Sequence, residues 1–208
     1  MHKNSVHLAG IFYASMSKIV GIKLIVNKSP KILDNRSYTF IANHQNSYDI
    51  MTVSRAARPN VVTIGKKSLK WIPVFGLIYW LSGNIMIDRN NSGKARDTML
   101  ASAEKVKQRG LSIFMFPEGT RSRGRGILPF KTGAFRLAQA TNQTIVPIIC
   151  SDLSDIRFNR WNNGTVVVEL LDPIKISTDE NPKDIAKRFE DMYKEQLVTV
   201  TEKAKRLS

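Results

Sequence analysis

The chain is poor in the groups on which several common chemistries depend. Its 208 residues hold one cysteine, Cys150, so no internal disulfide can form, and a reducing, cytosolic setting is the simplest home. Three histidines are present, and two of them, His2 and His7, lie in the first seven residues, where a chain end is usually frayed. No Cys/His cluster has zinc spacing, and nothing in the sequence calls for a metal. No Gly-x-Ser-x-Gly elbow occurs, so the signature of a serine acyl-enzyme is missing. No apolar run reaches the roughly 20 residues of a bilayer crossing. Lys18 and Lys23 break the first apolar stretch, and Pro73, Gly76, Ser82, Gly83 and Asn84 interrupt the second, residues 71–87. The first stretch also lacks the apolar centre and small-residue cleavage site of a secretory signal. Acidic groups are scarce as well: 17 Asp and Glu against 32 Lys and Arg leave a net charge of +15. Such a surface attracts anions, whether nucleic acid, acidic lipid or phosphorylated metabolites.

What is present suits one folded domain. The length is sufficient for a single large core, and 42% hydrophobic content argues against disorder. Short β-branched or aromatic runs predict strands at residues 38–42, 61–64, 84–87, 111–116, 144–149 and 165–171. Helical spacing falls between them. From Ser92, a good N-cap, Ala95, Met99, Ala103 and Val106 recur until Gly110, a short helix is predicted over Thr132 to Ala140, and a long one from Pro182 to about Leu207 carries Ile185, Phe189, Met192 and Val200. Strands alternating with helices predict a layered α/β domain, a mixed sheet flanked by helices, with binding residues in loops at strand ends. No repeat, low-complexity tract or long linker divides it.

Two apolar segments stand apart from this alternation. Leu8, Ile11, Phe12, Ile19 and Val20 share a helical spacing with lysines elsewhere on the wheel, predicting an N-terminal amphipathic helix. The same stripe serves either a membrane surface or packing on the helix's own domain. Residues 1–27 are therefore set apart as an amphipathic segment from the domain at 28–208. Within residues 71–81, Trp71, Tyr79 and Trp80 suit a membrane interface or a core element.

The polar residues that could do chemistry sit at the predicted strand ends. The strand YTFIA runs into Asn43 and His44, and Asp49 follows five residues later. On a continuous helix the two side chains would stand roughly 140° apart, so they meet only if a turn intervenes. Asn46 and Ser47 are good turn residues. The carboxylate could then accept from one imidazole nitrogen and leave the other free to take a proton; otherwise the two residues have separate structural jobs. FPEGTRSRGRG, residues 116–126, next brings three glycines and three arginines out of an apolar strand, and no acidic residue follows Glu118 until Asp152. Such a loop suits an oxyanion such as phosphate. GNIMIDR, residues 83–89, supplies Arg89 at another strand end.

In their order along the chain, HQNSYD, GNIMIDR, FPEGTRS and IVPI resemble the four motifs of the glycerolipid acyltransferases, the first being H-x4-D. GKKSLKWIP and LPFKTGAFRLA resemble the segments between them, and the likeness spans most of residues 38–150. The resemblance is closest to the bacterial 1-acyl-sn-glycerol-3-phosphate acyltransferases. It implies transfer of an acyl group from acyl-CoA or acyl carrier protein to lysophosphatidic acid, with phosphatidic acid as product and no cofactor. It further implies His44 as general base oriented by Asp49, Arg89 and Arg121 on the acceptor phosphate, Glu118 orienting an arginine or the glycerol oxygens, and Gly119 and Thr120 completing the loop. Lys66, or a backbone N–H near Gly65, is the candidate oxyanion donor because that turn follows the predicted strand at 61–64. The expected setting is an anionic membrane surface, at the cytoplasmic face of the inner membrane. Nucleic acid is not an expected partner: only Phe130 and Phe135 are aromatic between Arg121 and Arg136, and no recognition element appears.

Overall fold

The structure, a computed structural model, describes residues 4–71, 84–87 and 92–208. Its centre is a sheet of seven strands: β1 Lys23–Lys28, β2 Tyr38–Ala42, β3 Val61–Lys66, β4 Ile85–Ile87, β5 Ser112–Met115, β6 Thr144–Cys150 and β7 Thr165–Leu170, in spatial order β1-β7-β6-β2-β5-β3-β4. Strands β6, β2, β5, β3 and β4 run parallel, while β7 is antiparallel to β6 and carries β1 parallel to itself. The sheet is therefore mixed, and the expected α/β architecture of a single layered domain is found. Helices α1 Ser5–Ser15, α2 Ser92–Gln108, α3 Gly133–Thr141 and α4 Pro182–Arg206 flank it.

The period of two along each strand divides the core between the faces. Phe40, Ala42, Val146 and Ile148 pack with Val20, Val53 and Leu153 on one side. Ile41, Ile145 and Ile149 pack with Phe135 of α3 and Ile185, Phe189 and Tyr193 of α4 on the other. Near the β4 edge, Ile113, Val62 and Ile87 meet Ala103 and Val106 of α2. Both faces being covered, the central strands read as continuous apolar runs.

Pro147 lies within β6, paired with Ile41 of β2. A central strand rarely tolerates proline, which has no N–H for the ladder. Pro147 turns its backbone to β7, where its carbonyl accepts the Leu171 N–H at 2.9 Å. On the β2 side Tyr193 of α4 bridges the two strands: its hydroxyl donates to the Ile41 carbonyl at 2.6 Å and accepts from the Ile148 N–H at 3.2 Å. This bridge stands three residues before His44.

The N-terminal segment differs from the expectation in three ways. The helix is present, but the chain is a strand from Lys23 onward, hydrogen-bonded to β7, so residues 23–27 belong to the sheet rather than to a surface helix. The run Leu-Ile-Val is short and holds two β-branched residues, Ile25 and Val26, a pattern that sheet pairing converts to strand. Secondly, Ile19 is exposed whereas Val20 is buried, so the five apolar residues do not share one face. Helix α1 packs instead through small residues: Gly10 and Ala14 are buried, and a Cβ on Gly10 would stand 2.3 Å from the Ser54 carbonyl oxygen. Leu8, Ile11 and Phe12, at i, i+3 and i+4, point away from the protein. Thirdly, His7 is held rather than frayed, with its Nδ1 2.7 Å from the Ala57 carbonyl oxygen.

Candidate active site

All five parallel strands end at one edge, and the motif residues gather there. His44 follows β2, Lys66 closes β3, Ile87 closes β4 opposite Lys66, Phe116 to Arg121 follow β5, and Ser151 follows β6. Open α/β sheets bind ligands at such carboxyl ends.

The His44 loop is built on side chains that imitate backbone. Asn43 is fully buried and continues the β2–β6 ladder where β2 turns away, donating to the Cys150 carbonyl at 3.0 Å and accepting from the Cys150 N–H at 2.8 Å. Gln45 donates to the Ser151 carbonyl at 2.8 Å and accepts from the Leu153 N–H at 3.0 Å. Asn46 then caps a 3₁₀ helix, Ser47–Ile50, in a reciprocal capping box with Asp49. This is the turn that the five-residue spacing requires. It brings Asp49 Oδ2 to 2.6 Å from His44 Nδ1, while the same oxygen accepts the N–H groups of Gln45 at 2.8 Å and Asn46 at 3.1 Å.

Asp49 is buried, and its Oδ1 has no hydrogen-bond partner among the described residues, so all three donors, the imidazole and the two backbone N–H groups, converge on Oδ2. A bond from Nδ1–H to the carboxylate fixes the tautomer with a basic Nε2. The ring stacks on Phe116, centroids 4.0 Å apart at 17°, which fixes its plane. One face of the imidazole is thus apolar, one nitrogen is held, and the ring remains one-fifth exposed.

The loop after β5 is bonded to this unit. The N–H groups of Ser122 and Arg123 donate to the carbonyls of His44 and Gln45 at 2.8 and 2.9 Å. Glu118 is buried, and its two oxygens accept the His44 N–H at 2.6 Å and the Leu128 N–H at 3.0 Å. The sequence reading has Glu118 orienting an arginine or the glycerol oxygens; here its carboxylate faces inward and ties the second loop to the histidine backbone. Burial raises its pKa from 4.5 to about 7, with the two N–H donors opposing and the Asp49 charge adding.

Thr120 and Arg121 are exposed beside the paired backbones, free to meet a ligand from solvent. Gly119 adopts φ of +71°, a left-handed conformation, and a Cβ there would stand 3.2 Å from Lys131 Nζ. Lys131 was not singled out in the sequence reading; the signal was its place in LPFKTGAF, directly after the arginine loop. Phe116, Asn43 and Gln45 were likewise missed as supports, although the polar cluster NHQN after a buried strand advertised them. Arg89 and most of residues 71–81 lie outside the described residues. Cys150 is buried, and burial together with the charges of Asp49 and Asp152 pushes its thiol far up, so it is no nucleophile. Among the described residues no His, Cys, Asp and Glu group could hold a metal ion.

An imidazole held by a buried carboxylate, next to exposed arginines, is equipped to deprotonate a hydroxyl near an anion. Comparison with known proteins agrees with that chemistry. A family model described as Acyltransferase matches residues 23–151, from the start of β1 to the residue after β6. The 1-acyl-sn-glycerol-3-phosphate acyltransferase of Haemophilus influenzae is 48% identical over 166 residues, covering 78% of this chain and 69% of that protein. The Escherichia coli enzyme of the same name is 48% identical over 178 residues, covering 84% and 73%. In fold, the crystal structure of the 1-acyl-sn-glycerophosphate acyltransferase from Thermotoga maritima matches with a TM-score of 0.73 at 22% identity, covering 93% of this chain and 77% of that one. With the family match covering more than half of its length and the histidine–aspartate pair inside it, this chain belongs to the acyltransferase family.

Proposed function

We propose that the protein transfers a fatty acyl group from an acyl thioester, acyl-CoA or acyl carrier protein, to the sn-2 hydroxyl of 1-acyl-sn-glycerol 3-phosphate, forming phosphatidic acid. The observation that carries this reading is the 2.6 Å bond between His44 Nδ1 and Asp49 Oδ2 at the carboxyl edge of the sheet. The names of the bacterial relatives supply the acceptor.

In this mechanism His44 Nε2 takes the hydroxyl proton as the oxygen attacks the thioester carbonyl, and Asp49 stabilises the imidazolium. Collapse of the tetrahedral intermediate breaks the C–S bond, and the thiolate leaves with the proton from His44. Such a base typically contributes about 10²–10⁴-fold in rate. Arg121, with Arg89, holds the acceptor phosphate; Gly119 and Thr120 shape the loop; Lys66 or the Gly65 N–H stabilises the oxyanion. No covalent acyl-enzyme is required, in keeping with the burial of Cys150.

The lipid acceptor is met at the cytoplasmic face of the inner membrane by peripheral docking. No helix among the described residues is long and apolar enough to cross a membrane. The outward set Leu8, Ile11, Phe12 and Ile19 offers apolar surface, and the net charge of +15 offers attraction to anionic headgroups. The decisive assay incubates purified protein with lysophosphatidic acid or glycerol 3-phosphate, and with acyl-CoA or acyl carrier protein, and identifies the lipid formed. Phosphatidic acid from lysophosphatidic acid, lost in folded His44→Ala, is expected. Acylation of glycerol 3-phosphate alone would replace the acceptor, and undiminished turnover in His44→Ala would overturn the mechanism.

A further inference from the structure

The segment between β6 and β7 carries a surface that the reaction above does not use. Within residues 157–161, Arg-Phe-Asn-Arg-Trp, the side chains of Phe158 and Trp161 are 74% and 89% exposed. An aromatic residue normally buries its large apolar area, and clustered exposed ones mark an interaction site.

Their exposure is built rather than incidental. Leu153 and Ile156 are buried and anchor the start of the loop, and Gln45 bonds both Ser151 and Leu153. Asn163 closes the loop on itself, accepting the Arg157 N–H at 2.8 Å and donating to the carbonyls of Arg157 at 2.7 Å and Arg160 at 3.1 Å. It also joins the loop to the N-terminal segment, through Nδ2 to the Val20 carbonyl at 2.6 Å and its N–H to the Gly21 carbonyl at 2.8 Å. Gly21, with φ of +64°, approaches so closely that a Cβ there would lie 1.8 Å from the Trp161 carbonyl oxygen. The loop that carries the aromatic pair is thus tied to Val20 and Gly21, the residues that follow Lys18 and Ile19, the latter 65% exposed.

Sheet register puts this surface at the catalytic edge. Cys150 pairs with Val168, so Thr165 lies beyond the end of β6, and Lys23 pairs with Thr165. The starts of β1 and β7, and hence Ile19 and the loop, stand at the end of the sheet from which His44 emerges. The charge there favours an anionic partner: Arg157 and Arg160 alternate with the aromatics. The preceding acids, Asp152 and Asp155, stand before the aromatic stretch, and Asp152 is engaged by the Ser154 hydroxyl and N–H.

We propose that the Arg157–Trp161 loop is a second membrane anchor, seating Phe158 and Trp161 at the headgroup level of an anionic bilayer beside Ile19, so that the His44 edge faces the lipid. Tryptophan prefers this depth because its ring is apolar and its indole N–H is polar, and each nearby basic residue adds attraction to anionic lipid. The anchor deepens the acyltransferase reading and rests on its lipid acceptor.

The test uses a full-length chain carrying Trp71→Phe and Trp80→Phe, leaving Trp161 as the sole tryptophan. With mixed phosphatidylglycerol and phosphatidylcholine vesicles, its emission shifts to the blue and is quenched by lipids brominated near the headgroup end of the acyl chain. In the otherwise native chain, Phe158→Ser with Trp161→Ser lowers vesicle partitioning about tenfold, the low end for withdrawing a large side chain from apolar surroundings. Turnover of a short-chain, water-soluble lysophosphatidate is unchanged, and Trp161→Phe restores much of the partitioning. Emission that ignores vesicles, partitioning unchanged in the double variant, or equal loss of turnover on the soluble acceptor each overturn the anchor. Failure of the wild-type protein to acylate the soluble acceptor would instead remove the acyltransferase reading, since the quenching measurement needs no catalysis.

Discussion

Replacing Glu118 by glutamine tests whether the loop after β5 is held to the His44 loop by a titrating carboxylate. Glu118 is buried, its oxygens accept the His44 and Leu128 N–H groups, and its pKa is raised from 4.5 to about 7. The folded protein therefore binds this proton more tightly than the unfolded chain. Its contribution to stability is fully present below pH 4.5 and is lost as pH rises through about 7. At about 1.4 kcal/mol per pH unit the interval amounts to about 3 kcal/mol, an upper figure because other groups relax with it. Urea unfolding of the wild type and of Glu118→Gln between pH 5 and pH 8 measures the difference directly, because background titration is common to both. The wild type should lose up to about 2.5 kcal/mol more than the variant over that range, since part of the contribution is already gone at pH 5. The glutamine keeps one acceptor for two N–H donors, so turnover should also fall as the His44 backbone loosens. Parallel stability curves for the two proteins would refute the assignment.

Four other perturbations address separate joints. Asp49→Asn keeps an acceptor for Gln45 and Asn46 but removes the charge facing the imidazole; kcat should fall by on the order of 10³–10⁴ with the fold intact by circular dichroism. Arg121→Ala should cost about 1.5–3 kcal/mol in kcat/KM on lysophosphatidic acid and much less on an acceptor lacking phosphate, as steady-state kinetics on both would reveal. Tyr193→Phe leaves the Ile41 carbonyl and the Ile148 N–H without the hydroxyl between them, and should lower stability by about 1–3 kcal/mol in urea titration with an unchanged slope. Gly10→Leu drives a side chain into the Ser54 carbonyl, and hydrogen exchange should become faster in α1 while the β2 and β6 amides stay protected.

The strands and helices were legible because each carries its own period. The runs at 38–42 and 144–149 are β-branched and apolar, and both are found as strands within one residue of the reading. The stripe Ile185, Phe189 and Val200 announced α4, and Pro182 announced where it starts; the cap itself, Asn181, came from the structure. Strand β1 was not legible, because an apolar run of three residues between lysines fits a helical wheel and a strand equally well, and only pairing with β7 decides. Tyr193 escaped for a related reason: it lies on the buried side of α4 like any core aromatic, and its hydroxyl matters because the fold sets it between the Ile41 carbonyl of β2 and the Ile148 N–H of β6.

At the site, legibility followed sequence separation. His44 and Asp49 meet across five residues, a distance at which turn chemistry settles the geometry, and Asn46 and Ser47 made the turn readable. Glu118 meets the His44 N–H across 74 residues. A glutamate between proline and glycine in an arginine-rich loop advertises charge toward solvent, and nothing local says that it turns inward. The fold makes it do so because β5 lies beside β2 in parallel register, so that the two loops leave the sheet side by side with unpaired backbone groups. Ser122 and Arg123 satisfy the carbonyls of His44 and Gln45, and the remaining His44 N–H needs an acceptor that only a side chain can supply. A carboxylate is the strongest acceptor for a buried N–H, and burial is the main cause of the rise in its pKa, which the two N–H donors oppose. The acid in the third motif is therefore accounted for by the hydrogen-bonding needs of the first, whereas Arg121, three residues on, stays exposed at the same edge.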